Sequence, residues 1–365
     1  MDDLVIIFQI YLLRLFSLNS TVFFRLSLVC KKALNATFSL DAVRMTFIIV
    51  SGMVAGKYIP LGKPVYLAFF PIILALRVNS SDMLIMVKIL LPTVMSAVGA
   101  VFISELFSEH PFVIWTIALF FFDWQRRKAD TSAKVAGILT PIFIWILITV
   151  SAQLSIKSPL FLNLREMIFC VMITLGITWI GFRLFPKKIP LSSTPKISAI
   201  PITVSYKQRA ISLFLIGIGC AFLMITQMTS ALFCLVPVIA LATQTSRQGY
   251  FSGLKRRLLT QTSGCALSVF FTFLLAGQQN IAAYYILCLG LLVYILCYAV
   301  VNSLGEIKEV NLDALMATLF PIQLYICQSG ISLKGAYLRG WQLTVTLLLM
   351  LIIYYFSERK LVDIK

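Results

Sequence analysis

Four acidic residues, Glu105, Asp123, Asp130 and Asp313, stand within or beside long apolar runs of this sequence. A carboxylate drawn out of water takes up a proton more readily, so acids in such positions are candidates for proton coupling. Asp123 opens the run Asp123-Trp124-Gln125-Arg126-Arg127, which also reads as an interfacial segment with tryptophan at headgroup depth and arginines beyond it. Arg44 and Arg209 each open an apolar segment. A charge at a bilayer centre costs about 2.5 kcal/mol or more, so both are expected near the surface, as anchors or as groups that meet an anionic substrate. Pro71 and Pro237 interrupt two short apolar segments, which end in Asn79-Ser80 and Gln244-Thr245-Ser246. Proline removes a backbone donor, and short or broken helices leave polar backbone groups for a ligand. These residues are therefore candidates for a substrate pathway with Asn79 and Gln244 at its mouth; packing kinks and ordinary helix caps are the competing reading.

Other chemistries are disfavoured. One histidine, His110, gives no basis for a histidine-based metal site, and no metal or cofactor is expected. The eight cysteines fall mostly inside apolar segments without zinc-site or disulfide spacing, and read as small buried hydrophobes. Neither a Gly-x-x-x-x-Gly-Lys-Ser/Thr loop nor His-Glu-x-x-His nor Gly-x-Ser-x-Gly occurs, so ATP hydrolysis by that route and enzymatic activity are not expected. The net charge of +17 does not indicate nucleic acid, because the basic residues sit in gaps between apolar runs rather than on a soluble face.

The elements that must position these residues are helices in lipid. Sixty percent hydrophobic and 12% charged residues is a balance that a water-facing surface does not tolerate. The apolar runs lack the alternation of a β-barrel. The expectation is an all-α, polytopic integral membrane protein of about twelve transmembrane helices in two parallel six-helix repeats. Residues 1–40, interrupted by Arg14, Arg25, Lys31 and Lys32, read as an amphipathic interfacial segment. Residues 41–185 hold six apolar segments, at about 42–59, 65–77, 83–107, 111–123, 133–153 and 165–185. A Pro/Ser/Lys-rich linker spans 186–205, and residues 206–358 hold six more, at about 208–226, 229–243, 254–275, 281–301, 313–328 and 341–356, before a tail at 359–365.

An ordered series of matches relates the halves. Arg44 and Arg209 each precede a glycine by eight residues, Gly52 and Gly217. Pro71 matches Pro237, Lys88 with the later Gly99 matches Lys255 with Gly264, and Leu139-Thr140-Pro141-Ile142 matches Leu319-Phe320-Pro321-Ile322. An even number of crossings per half makes the repeats parallel. With both termini and the linker cytoplasmic, 25 of the 31 Lys and Arg lie inside; Lys57, Lys63, Lys157, Arg165, Lys334 and Arg339 lie outside. Lys57 and Lys63 flank the outer end of the first hairpin, placed to attract anions or the acidic face of an adaptor, with snorkelling as the simpler account.

The opening from Arg44 to Gly52 and Gly56, the Pro71 segment leading into Arg77-Val78-Asn79-Ser80, the loop Asp123–Arg127 and the duplication through Pro321 resemble the fusaric-acid-resistance and aromatic-acid-exporter superfamily of bacterial inner-membrane proteins. The resemblance covers roughly residues 41–358 and matches the short members, since the large soluble domains of the longer exporters are absent here. It implies an inner-membrane efflux component that exports an amphipathic, anionic or aromatic compound together with a periplasmic adaptor protein. An organic-anion channel and a membrane scaffold that anchors an adaptor are the alternative functions. Expected partners are membrane lipid, the adaptor and a small-molecule substrate, with no nucleic acid.

Overall fold

The computed structural model describes residues 39–129, 132–154, 160–186, 206–226, 247–275, 278 and 281–326, together with residues 239, 241, 341 and 345. Among the described residues the first six helices are α1 (Leu40–Tyr58), α2 (Tyr66–Arg77), α3 (Met83–Leu106), α4 (Pro111–Lys128), α5 (Ser132–Leu154) and α6 (Leu160–Leu184). Four more follow: α7 (Tyr206–Thr226), α8 (Arg247–Leu274), α9 (Ala282–Val301) and α10 (Gly305–Ile326). No strand occurs among the described residues. Among the described residues three helices are long and apolar enough to cross a membrane: Met83–Leu106, Phe161–Leu184 and Ala282–Val301. The segment expected at 1–40 lies outside the described residues except for its last two, and the segments expected at 229–243 and 341–356 and the linker lie outside the described stretches or touch them only at single residues.

Helix ends show where local chemistry overrides hydropathy. Asp82 caps α3, its side chain accepting from the Leu84 amide at 3.1 Å. The Asp123–Arg127 run, expected as a loop, is instead the last turn and a half of α4. Two effects carry the helix past its apolar part. Asp123 and Arg127 pair at i,i+4 spacing with 2.5 Å between them, and Arg126, Arg127 and Lys128 lie where the helix dipole favours cations. Similarly, α10 starts well before its apolar run, at Gly305 with φ of +56°. Asn311 then ties α10 to the end of α9 by donating to the Ala299 carbonyl and the Ser303 hydroxyl, both at 3.0 Å.

Burial sorts the helices into central and peripheral sets. In α2 every residue from Tyr66 to Ala75 is buried, so this twelve-residue helix is apolar all round and enclosed all round. At 1.5 Å per residue it is about 18 Å long, too short to cross a hydrocarbon core of roughly 30 Å unaided. Helix α5 is buried from Thr140 through Ser151. By contrast, α3 exposes Leu84, Leu91, Met95, Phe102 and Leu106 along one side, the pattern of a helix that faces lipid. The centre is aromatic: the Phe69 ring of α2 lies 5.5 Å from Phe143 of α5 and 5.7 Å from Phe320 of α10.

Close approaches between helices fall at glycines. Pro71 has no amide hydrogen for the Leu67 carbonyl one turn earlier, and Gly52 of α1 packs against that same oxygen and the proline ring. A Cβ at Gly52 would lie 2.7 Å from Leu67 O and 2.5 Å from Pro71 Cγ. At Gly264 of α8 a Cβ would lie 2.5 Å from Ala317 Cβ of α10, and at Gly99 of α3 it would lie 3.0 Å from the Trp145 ring of α5.

The helix pairings are specific. Helix α3 packs on α5 and α8 on α10; α4 packs on α5 and α9 on α10; α1 packs on α9 and α7 on α4; α1 also packs on α10 and α7 on α5. Side-chain contacts define two ends of the bundle. The first end joins Arg44 to Phe185, Asp123 to Arg209 and Arg257 to Asp313; the second joins Lys63 to Ser151, Pro64 to Gln323 and Lys57 to Tyr285. No pair mixes the ends, as alternating up and down helices require.

Candidate functional site

At the first end, basic side chains meet acids across helices. Asp123 forms ion pairs with two arginines, Arg127 on its own helix at 2.5 Å and Arg209 of α7 at 2.8 Å. The sequence therefore singled out two residues that the fold brings into one ion pair, with Asp123 on α4 and Arg209 on α7. Arg44 behaves differently from Arg209. It is only 4% exposed, bonded to Asp41 at 2.6 Å, donating to the Phe185 carbonyl at 3.3 Å and lying over the Phe182 ring at 4.7 Å. It sits near the start of α1, covered by α6 rather than open to water. Asp313 pairs with Arg257 of α8 at 3.4 Å.

The remaining candidates are dispersed. Glu105 and Asn79 are exposed, at the second and first ends respectively, and Pro71 is buried in the contact between α1 and α2. Pro237, Gln244 and Asp130 lie outside the described residues.

The second end holds a polar cluster that the sequence reading did not assemble. Lys63, in the connection from α1 to α2, was expected to snorkel; instead its Nζ donates to Ser151 Oγ of α5 at 3.0 Å. The short connection at 59–65 brings this side chain to Ser151 of α5 and places Gly62 against α6. Burial lowers its pKa to about 8, against the charge of Glu166, which raises it. The Glu166 carboxylate of α6 lies against Gly62, where a Cβ would come within 3.0 Å of Oε2 and 3.2 Å of Oε1. Glu166 Oε2 is buried without a hydrogen-bond partner among the described residues, and so is the hydroxyl of Tyr66, a residue 1% exposed. Nearby, Gln323 of α10 is fully buried, donates from Nε2 to the Pro64 carbonyl at 3.4 Å and leaves Oε1 unpartnered. Gly56 makes room for that amide, since a Cβ there would collide with Nε2.

A signal for Gln323 was present in the sequence: a neutral amide inside an apolar run, two residues after Pro321. Glu166 was masked by Arg165 beside it, which makes the pair look like an ordinary interface. The arrangement offers an amine, a carboxylate and two hydroxyls within one protein-covered corner, chemistry suited to taking up and passing on a proton.

Comparison with known proteins adds one relationship. Residues 41–181 match the family described as Protein of unknown function (DUF2955). The match begins in the first turn of α1 and ends in the last turn of α6, so it covers the first six helices. No curated protein and no solved structure matches the chain.

Proposed function

We infer that the chain is a transporter component of a bacterial inner membrane, built from two parallel six-helix repeats, that moves an amphipathic, anionic or aromatic compound out of the cytoplasm. The observation that carries this reading is the reciprocity of the helix pairings. Let α1, α3, α4 and α5 be the first, third, fourth and fifth helices of one half, and α7, α8, α9 and α10 those of the other. Exchanging the halves turns α1 on α9 into α7 on α4, α1 on α10 into α7 on α5, α3 on α5 into α8 on α10, and α4 on α5 into α9 on α10. Each substantial pairing among these helices has its counterpart, as a pseudo-two-fold axis along the membrane normal requires. The family match over 41–181 supports the same division, because its limits are those of the first six helices.

Twelve crossings follow from adding the segments at 229–243 and 341–356 to the ten helices. The charge distribution then makes the first end cytoplasmic and the second end outer. Polar residues buried in the bundle interior, Ser96, Thr149, Ser151 and Gln323 among them, mark a solute path more readily than a scaffold, which could bury apolar residues instead. The resemblance to the aromatic-acid exporters supplies the substrate class and a periplasmic adaptor as partner. Everted membrane vesicles containing the protein test it: with an imposed pH gradient they should accumulate radiolabelled benzoate above vesicles lacking the chain, and a protonophore should abolish the difference. Equal accumulation in both would contradict transport, and gradient-independent flux would favour a channel.

A further inference from the structure

The acidic side chains described in this fold differ in what holds them. Asp123, Asp313 and Asp41 engage arginines, Asp82 caps a helix, and Glu105, Glu109 and Glu309 are exposed. Glu166 fits none of these groups. It is half-buried, one of its oxygens is covered without a hydrogen-bond partner, and its charge reaches both Lys63 and Tyr66.

We propose that Lys63, Glu166, Ser151 and Tyr66 form a proton-exchange site at the outer end of the first six-helix unit, where a proton entering from outside is held on the Lys63 amine. This rests on the transporter reading and names its coupling ion. The step is R–NH2 + H+ → R–NH3+: the nitrogen lone pair takes the proton, Ser151 Oγ accepts from the resulting ammonium at the observed 3.0 Å, and Glu166 balances its charge. Release reverses the same step.

The parts sit on different elements, which makes proton affinity depend on conformation. Lys63 belongs to the connection between α1 and α2, Tyr66 to α2, Ser151 to α5 and Glu166 to α6. Moving α6 away removes the carboxylate that favours the charged amine while the protein still covers it, so the proton leaves. Gly62 allows the carboxylate to lie against the loop, and a side chain there would hold it off. The other ionisable groups near this corner do not replace Glu166. On α6 itself Arg165 is exposed and Cys170 is buried; on α1 Lys57 lies 3.8 Å over the Tyr285 ring of α9; on α3 Glu105 is exposed.

The test is competitive labelling of the full-length protein with a membrane-impermeant amine acetylating reagent, across pH 6–11, with mass spectrometry of the peptide containing residue 63. Because acetylation requires the free amine, the midpoint reports protonation whatever the absolute rate, and the wild-type chain itself assigns the lysine. In intact cells Lys63 should label with a midpoint near pH 8, about two units below an ordinary lysine. Glu166→Gln should move that midpoint lower, and Ser151→Ala, a milder change, should move it without abolishing labelling. A midpoint in the ordinary lysine range, or one that Glu166→Gln leaves unchanged, overturns the site. A low midpoint seen only in everted vesicles overturns its outer placement and the orientation with it. Benzoate transport with a normal Lys63 midpoint would sink the proton site and leave the transporter reading standing; a low midpoint without transport would do the reverse.

Discussion

Replacing Gly52 by alanine should destabilise the protein, against the usual effect of that change in a helix. In an open helix interior, Gly→Ala stabilises by about 0.5–1 kcal/mol, because glycine loses more backbone freedom on folding. At Gly52 the new methyl would lie 2.5 Å from Pro71 Cγ and 2.7 Å from Leu67 O. Neither is the free end of a flexible chain, so α1 and α2 must separate, and overpacking of this kind costs about 1–3 kcal/mol. Gly290 on α9 is the control, since nothing lies within 4 Å of a Cβ there. Gly290→Ala should be neutral or stabilising, which separates the two variants by roughly 2–3 kcal/mol. At about 2 °C per kcal/mol for a long chain, their melting midpoints should differ by roughly 4–6 °C. Thermal unfolding in detergent can be followed with a thiol-reactive dye, because Cys170, Cys220, Cys265 and Cys297 are buried and become reactive as the bundle opens. If Gly52→Ala melts with or above Gly290→Ala, the close contact of α1 with the proline turn of α2 is wrong.

Three further outcomes follow. A double-mutant cycle on Asp123→Asn and Arg209→Gln should give a coupling energy on the order of 0.5–3 kcal/mol, measured by the same melting assay, whereas additivity would mean that α4 and α7 do not meet there. Lys63 has its folded-state pKa lowered to about 8, so the unfolded chain binds more protons between that value and about 10.4. Stability should therefore rise with pH through this window, by up to about 3 kcal/mol, from a penalty fully present below pH 8; Lys63→Met should remove the rise and be the more stable protein at pH 7. Lastly, a cysteine placed at Gln278 should react with an impermeant maleimide in intact cells while one at Ser193 should not, and the opposite pattern would invert the orientation.

Among the described residues hydropathy located the helices well because each apolar run had to satisfy its own backbone. The helix over Tyr66–Arg77 was legible to within a residue, and so were its shortness and its proline. The ends were harder. Asp123–Lys128 looked like a loop because it is polar, yet the Asp123–Arg127 pair and the dipole favour helix there. Side-chain direction was not legible. Lys63 has the composition and setting of a snorkelling lysine, and only the short path from α1 into α2 turns it under Ser151. Positional matching between halves also had a limit. Arg44 and Arg209 hold matching places in the expected repeat, but Arg44 folds back onto Asp41 and α6, while Arg209 reaches across to Asp123 of α4. Partners in three dimensions decide a charge's role, and they come from helices far apart in the chain.

Disulfide trapping across the two halves tests the central claim most directly. Thr46 of α1 is a neighbour of Cys297 of α9, and Thr149 of α5 of Cys220 of α7. In chains otherwise free of cysteine, Thr46→Cys with Cys297 and Thr149→Cys with Cys220 should each cross-link under mild oxidation in membranes. Cleavage by a protease site inserted in the linker should then leave both halves joined until reductant is added. Halves that separate without reductant in either variant would contradict the reciprocal packing, and with it the two-repeat transporter.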